Sequence, residues 1–310
     1  MSRIHEALRR AEHEKSKGTQ PATAPSAVPA DTPDRGPVAA APAVVPAAPA
    51  APAPAAAAPA LAMAAAPEAA PAPAALPVPP ALSLLDSCRR THWHENPAKL
   101  FFLNPKGHAS ATEQFRALRS RLYLARETRP LKTVLVTSAM PGEGKTFVCA
   151  NLAYAFARQS DRRVLLVDAD LRAPALHGLL GAPAEPGLVS YLQGGMAVEK
   201  ILQRGPHENF YFFPAGKPPV SPAELVAGGN LKGLLAKLAP LFDWILLDSP
   251  AAGPVSDALR IADWCDGVLL VVQGGKTPYD VAQRVTRELR EKRLLGVVLN
   301  RTEGSGGSPS

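Results

Sequence analysis

The sequence predicts a three-layer α/β fold, with a mostly parallel central sheet and helices on both faces, preceded by a long Ala/Pro-rich linker. Three observations predict it. Short apolar runs alternate with helical segments: Val134–Thr137, Val164–Val167, Phe210–Phe213, Trp244–Leu247, Val268–Val272 and Gly296–Leu299. A glycine-bearing turn, Thr137 to Thr146, lies where the first of these runs passes into a helix. Aspartates stand at the ends of two other runs, Asp168 and Asp170 after Val167 and Asp248 after Leu247. Apolar strands separated by helices imply right-handed crossovers and a sheet covered on both sides.

In chain order, residues 1–17 come first. Ile4, Ala7, Leu8 and Ala11 share one face of an amphipathic helix, either a docking peptide for a partner or a helix too short to hold in water. Residues 18–82 form the linker. Between Pro21 and Pro80, 44 of 60 positions are Ala or Pro. Such a segment buries too little apolar surface to offset its ordering entropy, so an extended, disordered spacer is expected. The folded domain is expected over residues 83–303. It opens with an irregular surface stretch containing His92, Trp93, His94 and His108, and continues with a helix over residues 111–127. Residues 304–310 are Gly/Ser-rich and read as a disordered tail.

Composition excludes several functions. The chain has no long apolar run outside the Ala/Pro tract, so no direct membrane span is expected. The beginning of the chain lacks a signal-peptide core, and the cytoplasm is the expected compartment. Its three cysteines, Cys88, Cys149 and Cys265, lack metal-ligand spacing; Cys149 and Cys265 read as small core residues. The net charge of +7 owes much to arginines around positions 116–129 with no interleaved aromatics. No nucleic-acid partner follows from it; solvated helix faces or a protein interface fit better.

Thr137 to Thr146 carries the chemistry. Backbone N–H groups in such a turn converge on one concavity, and the following helix adds partial positive charge, which suits the phosphates of a nucleotide. Pro141, Gly142, Glu143, Gly144, Lys145, Thr146 and Phe147 are the expected nucleotide-binding residues. Lys145 would reach the β- and γ-phosphates and Thr146 would ligate Mg²⁺. The strict loop pattern begins with Gly, where this chain has Ala139. Asp168, Asp170 and Asp248 would gather around the magnesium, with Asp170 and Asp248 as candidate ligands and Asp168 or Asp170 as a proton acceptor. Taken singly, Asp248 could equally be a helix cap.

Together these motifs resemble the bacterial tyrosine kinases, cytoplasmic P-loop kinases of capsule and exopolysaccharide synthesis. The resemblance runs from about Ala111 to Arg301. It includes Glu113, Arg116 and Arg119, which match an E-x-x-R-x-x-R element that packs subunits of relatives into a ring, and Gly187–Leu192, Pro214–Gly216 and Ser221–Leu225. It also includes Gly296–Arg301, whose Asn300 corresponds to an adenine-contacting asparagine in related ATPases. Partitioning and septum-positioning ATPases differ by a second lysine where this chain has Met140.

The resemblance implies transfer of the ATP γ-phosphoryl to tyrosine with Lys145, Asp168, Asp170 and Asp248 as catalytic residues, and Asp168 as the favoured base. It also implies homo-oligomers, a membrane-embedded co-polymerase (chain-length) activator, and recruitment to the inner membrane through it. One departure matters. Relatives end in a tyrosine cluster, whereas this chain ends RTEGSGGSPS, and its five tyrosines are Tyr123, Tyr154, Tyr191, Tyr211 and Tyr279. An internal tyrosine or another protein must then be the acceptor. Otherwise the protein is a nucleotide-dependent scaffold of the export complex with little kinase activity.

Overall fold

The computed structural model describes residues 80–301; the expected N-terminal helix, most of the linker and the tail lie outside them. Helix α1 (Pro80–Ser87) has proline at its first position, where the missing N–H removes no helical bond. The elements that follow are β1 (Arg89–Arg90), α2 (Ala109–Thr128), β2 (Thr133–Ser138), α3 (Lys145–Ala157), β3 (Val164–Asp168), α4 (Leu176–Leu180), α5 (Leu188–Leu192), α6 (Val198–Ile201), β4 (Gln203–Arg204) and β5 (Phe210–Phe213). Then come α7 (Pro222–Ala227), α8 (Asn230–Leu238), β6 (Trp244–Asp248), α9 (Asp257–Ala262), β7 (Gly267–Gln273), α10 (Tyr279–Arg290) and β8 (Leu294–Asn300).

The strands form one eight-stranded sheet in the order β1-β4-β5-β3-β6-β2-β7-β8. All neighbours are parallel except β4 and β5, which are antiparallel, and β1 follows β4. Every apolar run expected as a strand is one. The central strands are buried along their whole length, which is why they read as unbroken apolar runs. Successive side chains nonetheless divide between two cores. Leu135, Leu165, Val167, Ile245 and Leu247 enter one cluster, while Val134, Val136, Val164, Leu166 and Leu246 enter the other. Helix α3 lies in the second cluster and is buried from Val148 to Phe156.

The stretch before α2 is more than a surface loop. His92 and His94 are exposed, as expected, but Trp93 between them is buried. Its ring meets Phe210 and Phe212 edge-on, with centroids 5.6 and 6.0 Å away. Opposite it, a Cβ on Gly205 would lie 2.5 Å from the indole, so only glycine fits there. Further on, Asn151 of α3 accepts the Phe101 N–H at 2.9 Å and donates to the Lys99 carbonyl at 2.9 Å. The arm is thereby fastened to the helix that follows the phosphate loop.

Candidate active site

The parallel strands β2, β3 and β6 bring their C-terminal ends to one rim. Register pairs Asp168 with Asp248, and Val136 of β2 with Asp248 from the other side. The loop after β2 turns through Gly142 (φ 83°) and Gly144 (φ 90°), both left-handed. A Cβ on Gly144 would also lie 2.2 Å from the Asn300 amide nitrogen, so a side chain there would push Asn300 aside as well as strain the backbone. Lys145 then opens α3.

Lys145 is the hub of the site. Its Nζ lies 2.9 Å from Asp170 Oδ2, 3.9 Å from Asp248 Oδ1 and 3.2 Å from Thr146 Oγ1. Burial alone would lower its pKa, but the charges of Asp248 and Asp170 outweigh that and raise it, so the lysine stays a cation. Asp248 is fully buried, and among the described residues neither carboxylate oxygen has a hydrogen-bond partner. Burial pushes its pKa up to about 6 against the opposing pull of Lys145. Asp168 goes further, to about 8, through burial and then the charge of Asp248. Its Oδ2 accepts the N–H groups of Ala175 and Leu176 at 3.2 and 3.1 Å, and its Oδ1 that of Asp170 at 3.3 Å. Asp170 Oδ1 accepts from Arg172 and Ala173.

Three carboxylates around one cation do not form. Among the described residues no three His, Cys, Asp or Glu side chains make a metal-ligand group. Asp168 is spent on backbone amides, and the Lys145 ammonium stands against Asp170. What remains is the pair of unpartnered Asp248 oxygens beside the Thr146 hydroxyl position, a donor set suited to a small hard cation that keeps most of its water.

The remaining loop residues divide. Pro141 and Gly142 are exposed, while the Glu143 side chain is only 3% exposed and turns inward. Phe147 sits edge-on to Phe101 and Phe115 at 5.1 and 6.2 Å, so its ring serves an aromatic cluster. Asn300, at the end of β8, reaches the loop and donates to the Glu143 carbonyl at 2.8 Å.

Comparison with known proteins bears on what such a site belongs to. Residues 134–309, more than half the chain, match the CobQ/CobB/MinD/ParA nucleotide binding domain. The tyrosine-protein kinase YwqD of Bacillus subtilis is 35% identical over 191 residues, covering 61% of this chain and 80% of that protein. The chain belongs to the bacterial tyrosine-kinase family. Among solved structures, the kinase domain of the Escherichia coli tyrosine kinase ETK matches with a TM-score of 0.60 at 30% identity, covering 67% of this chain and 84% of that one. The chimerical protein CapA2B2 matches with a TM-score of 0.62 at 28% identity, covering 72% and 97%.

In this bacterial tyrosine kinase the expected subunit-contact residues lie on α2. Glu113 and Arg116 are exposed and form an ion pair with each other, whereas Arg119 donates to the Ala155 carbonyl at 2.6 Å and so holds α2 on α3. Sequence reasoning passed over Asp257, which is buried and takes the Arg172 Nε–H at 2.7 Å, and Thr277, which donates to the Glu143 carboxylate. Neither sits in a recognisable pattern. Only an acidic residue at a helix start hinted at the first.

Proposed function

We propose that this kinase transfers the γ-phosphoryl of ATP to a tyrosine hydroxyl. The observation that carries the reading is Lys145, held as a cation at the mouth of the loop between Asp170 and Asp248. The loop amides and Lys145 bind and orient the phosphates and offset charge as it spreads over the transferred group. Thr146 and Asp248 would hold Mg²⁺, and Asp170 would join them once Lys145 leaves it for the phosphates. Held there, the cation would supply positive charge against the negative charge that develops on the transferred group. Asp168, the base that the resemblance favours, would accept the phenolic proton only once its own has left, which its raised pKa delays to about 8 in the chain without nucleotide. Asn300 contacts the base. Glu113, Arg116 and Arg119 contribute to packing between subunits, as homologues that form rings do.

The cellular reading follows the resemblance. The kinase regulates capsule or exopolysaccharide synthesis and works from the cytoplasm with a membrane-embedded co-polymerase that activates it and recruits it to the membrane. Among the described residues no helix is long and apolar enough to cross a membrane. Incubating the purified chain with labelled ATP, Mg²⁺ and a Glu/Tyr copolymer tests the activity. Label on tyrosine that is lost with Lys145→Ala supports it; nucleotide binding with no phosphotyrosine on any acceptor, even with a partner's cytoplasmic tail present, favours the scaffold.

A further inference from the structure

Glu143 lies inside the phosphate loop, yet its carboxylate does not face the place where phosphates would sit. It is buried, and both oxygens are engaged on protein groups. Oε2 accepts the Met140 N–H at 2.8 Å, across the neck of the loop, and Oε1 accepts the Thr277 hydroxyl. Thr277 in turn accepts the Gln273 N–H at 2.9 Å, where β7 ends. The Glu143 carbonyl takes the Asn300 amide, and Gln273 and Asn300 are register partners on β7 and β8. One acidic side chain therefore ties the loop to itself, to the loop after β7 and, through its backbone, to the end of β8.

From this geometry we infer that Glu143 and Thr277 are a positioning pair, whose side chains set the phosphate loop in its cradle shape before nucleotide arrives and do not themselves touch the nucleotide. The physical case is preorganisation. A loop whose N–H groups must converge on an anion loses binding energy if they have to be ordered at the moment of binding. A carboxylate in that loop would also repel phosphate unless it were turned away and engaged elsewhere, as Glu143 is. Thr277 supplies the donor that keeps it there. The Met140 N–H, once bonded to Glu143, cannot swing towards solvent and flatten the turn. The pair thus acts on affinity for any phosphate-bearing nucleotide, ADP as much as ATP, more than on the transfer step.

This inference rests on the kinase reading only for its catalytic consequence, because nucleotide affinity is measured without an acceptor. The test compares Glu143→Ala, Glu143→Gln, Thr277→Val, Thr277→Ser and the double Glu143→Ala/Thr277→Val variant in the full chain. Three quantities are read: the Kd of a fluorescent ADP with Mg²⁺, KM for ATP against kcat on a Glu/Tyr copolymer, and the melting temperature. Thr277→Val and Glu143→Ala are each expected to weaken ADP and raise KM roughly tenfold, the scale of one buried hydrogen bond to a charged group, with kcat changed far less. Thr277→Ser, which keeps the hydroxyl, restores affinity, and Glu143→Gln falls between. The double variant is no worse than Glu143→Ala alone, because the two residues form one brace. The pairing is overturned if Thr277→Val binds ADP as wild type does, if the two losses multiply, or if Thr277→Ser is as impaired as Thr277→Val. Losses that follow melting temperature alone, with no change in Kd below it, would equally reduce Glu143 to a fold residue. A wild-type chain that binds ADP but phosphorylates nothing would sink the kinase reading and leave the Kd comparison to decide the brace.

Discussion

Asp168 and Asp248 occupy paired positions on β3 and β6, so two buried carboxyls end side by side at the rim of the sheet. Neither can shed its proton as an ordinary aspartate does. The folded protein without nucleotide holds a proton on Asp168 up to about pH 8, whereas the unfolded chain releases it near 3.8. Between those values the folded state binds more protons, so stability falls as pH rises, by up to about 1.4 kcal/mol per pH unit, and levels off above 8. Denaturant unfolding in the presence of a chelator, from pH 5 to 9, reads the slope. Asp168→Asn flattens it; a wild-type curve that is flat or rises over this window overturns the assignment.

Lys145→Ala removes the cation that both Asp170 and Asp248 face. Phosphoryl transfer is expected to drop at least about a hundredfold, the usual loss when one stabilising donor is removed. The protein still folds, because the carboxyls can take up protons in place of the lysine. The melting temperature of the variant, relative to wild type, falls further at pH 8 than at pH 6, since carboxylates are harder to protonate at the higher pH. Equal deficits at both values would mean that Lys145 does not compensate those charges.

Tyr279 differs from the other four tyrosines. Tyr154 and Tyr211 are core residues, Tyr123 and Tyr191 pack against the cores, and Tyr279, half-buried, belongs to neither cluster; among the described residues its hydroxyl accepts only the Gln283 amide, at 3.3 Å. If the kinase labels its own chain, the label is expected on Tyr279. Peptide mapping after incubation with labelled ATP checks this, and Tyr279→Phe abolishes the label while leaving activity on a Glu/Tyr copolymer. Phosphate on Tyr123 or Tyr191 instead would show that packing against a core does not choose the acceptor.

Trp93→Ala opens a cavity between the arm and β5. About 3–5 kcal/mol of stability is expected to go, the cost of truncating a large buried aromatic. Urea unfolding measures it, and limited proteolysis should then cut first between residues 91 and 104. A loss below about 1 kcal/mol would place Trp93 outside the cooperative core.

The sheet and the site were legible for the same reason. A strand buried on both faces must be apolar throughout, and a carboxylate at its end stands out against that background, as Asp168 and Asp248 do. Asn300 was found only through resemblance, since nothing in its own run marks it. Other features left no local signal. β1 and β4 are two-residue strands, Arg89–Arg90 and Gln203–Arg204, held by backbone pairing that any polar residue can make. Trp93 sits between two exposed histidines, so no periodicity marks it as core. The direction of the Glu143 side chain depends on Thr277, 134 positions away, and no window around the loop contains that information.

The arm that enters at Pro80 meets its anchors in a definite sequence. Leu84 and Leu85 of α1, buried in the first cluster, come first, then the β1 pairing and the Trp93 plug, and last the Asn151 grip on Lys99 and Phe101. Traction on the chain upstream must unzip a strand and draw out an indole before it can disturb α3 and the lysine at its head. Like the collar on a cable, the arm gives the helix that carries Lys145 strain relief, keeping a pull at Pro80 away from the site.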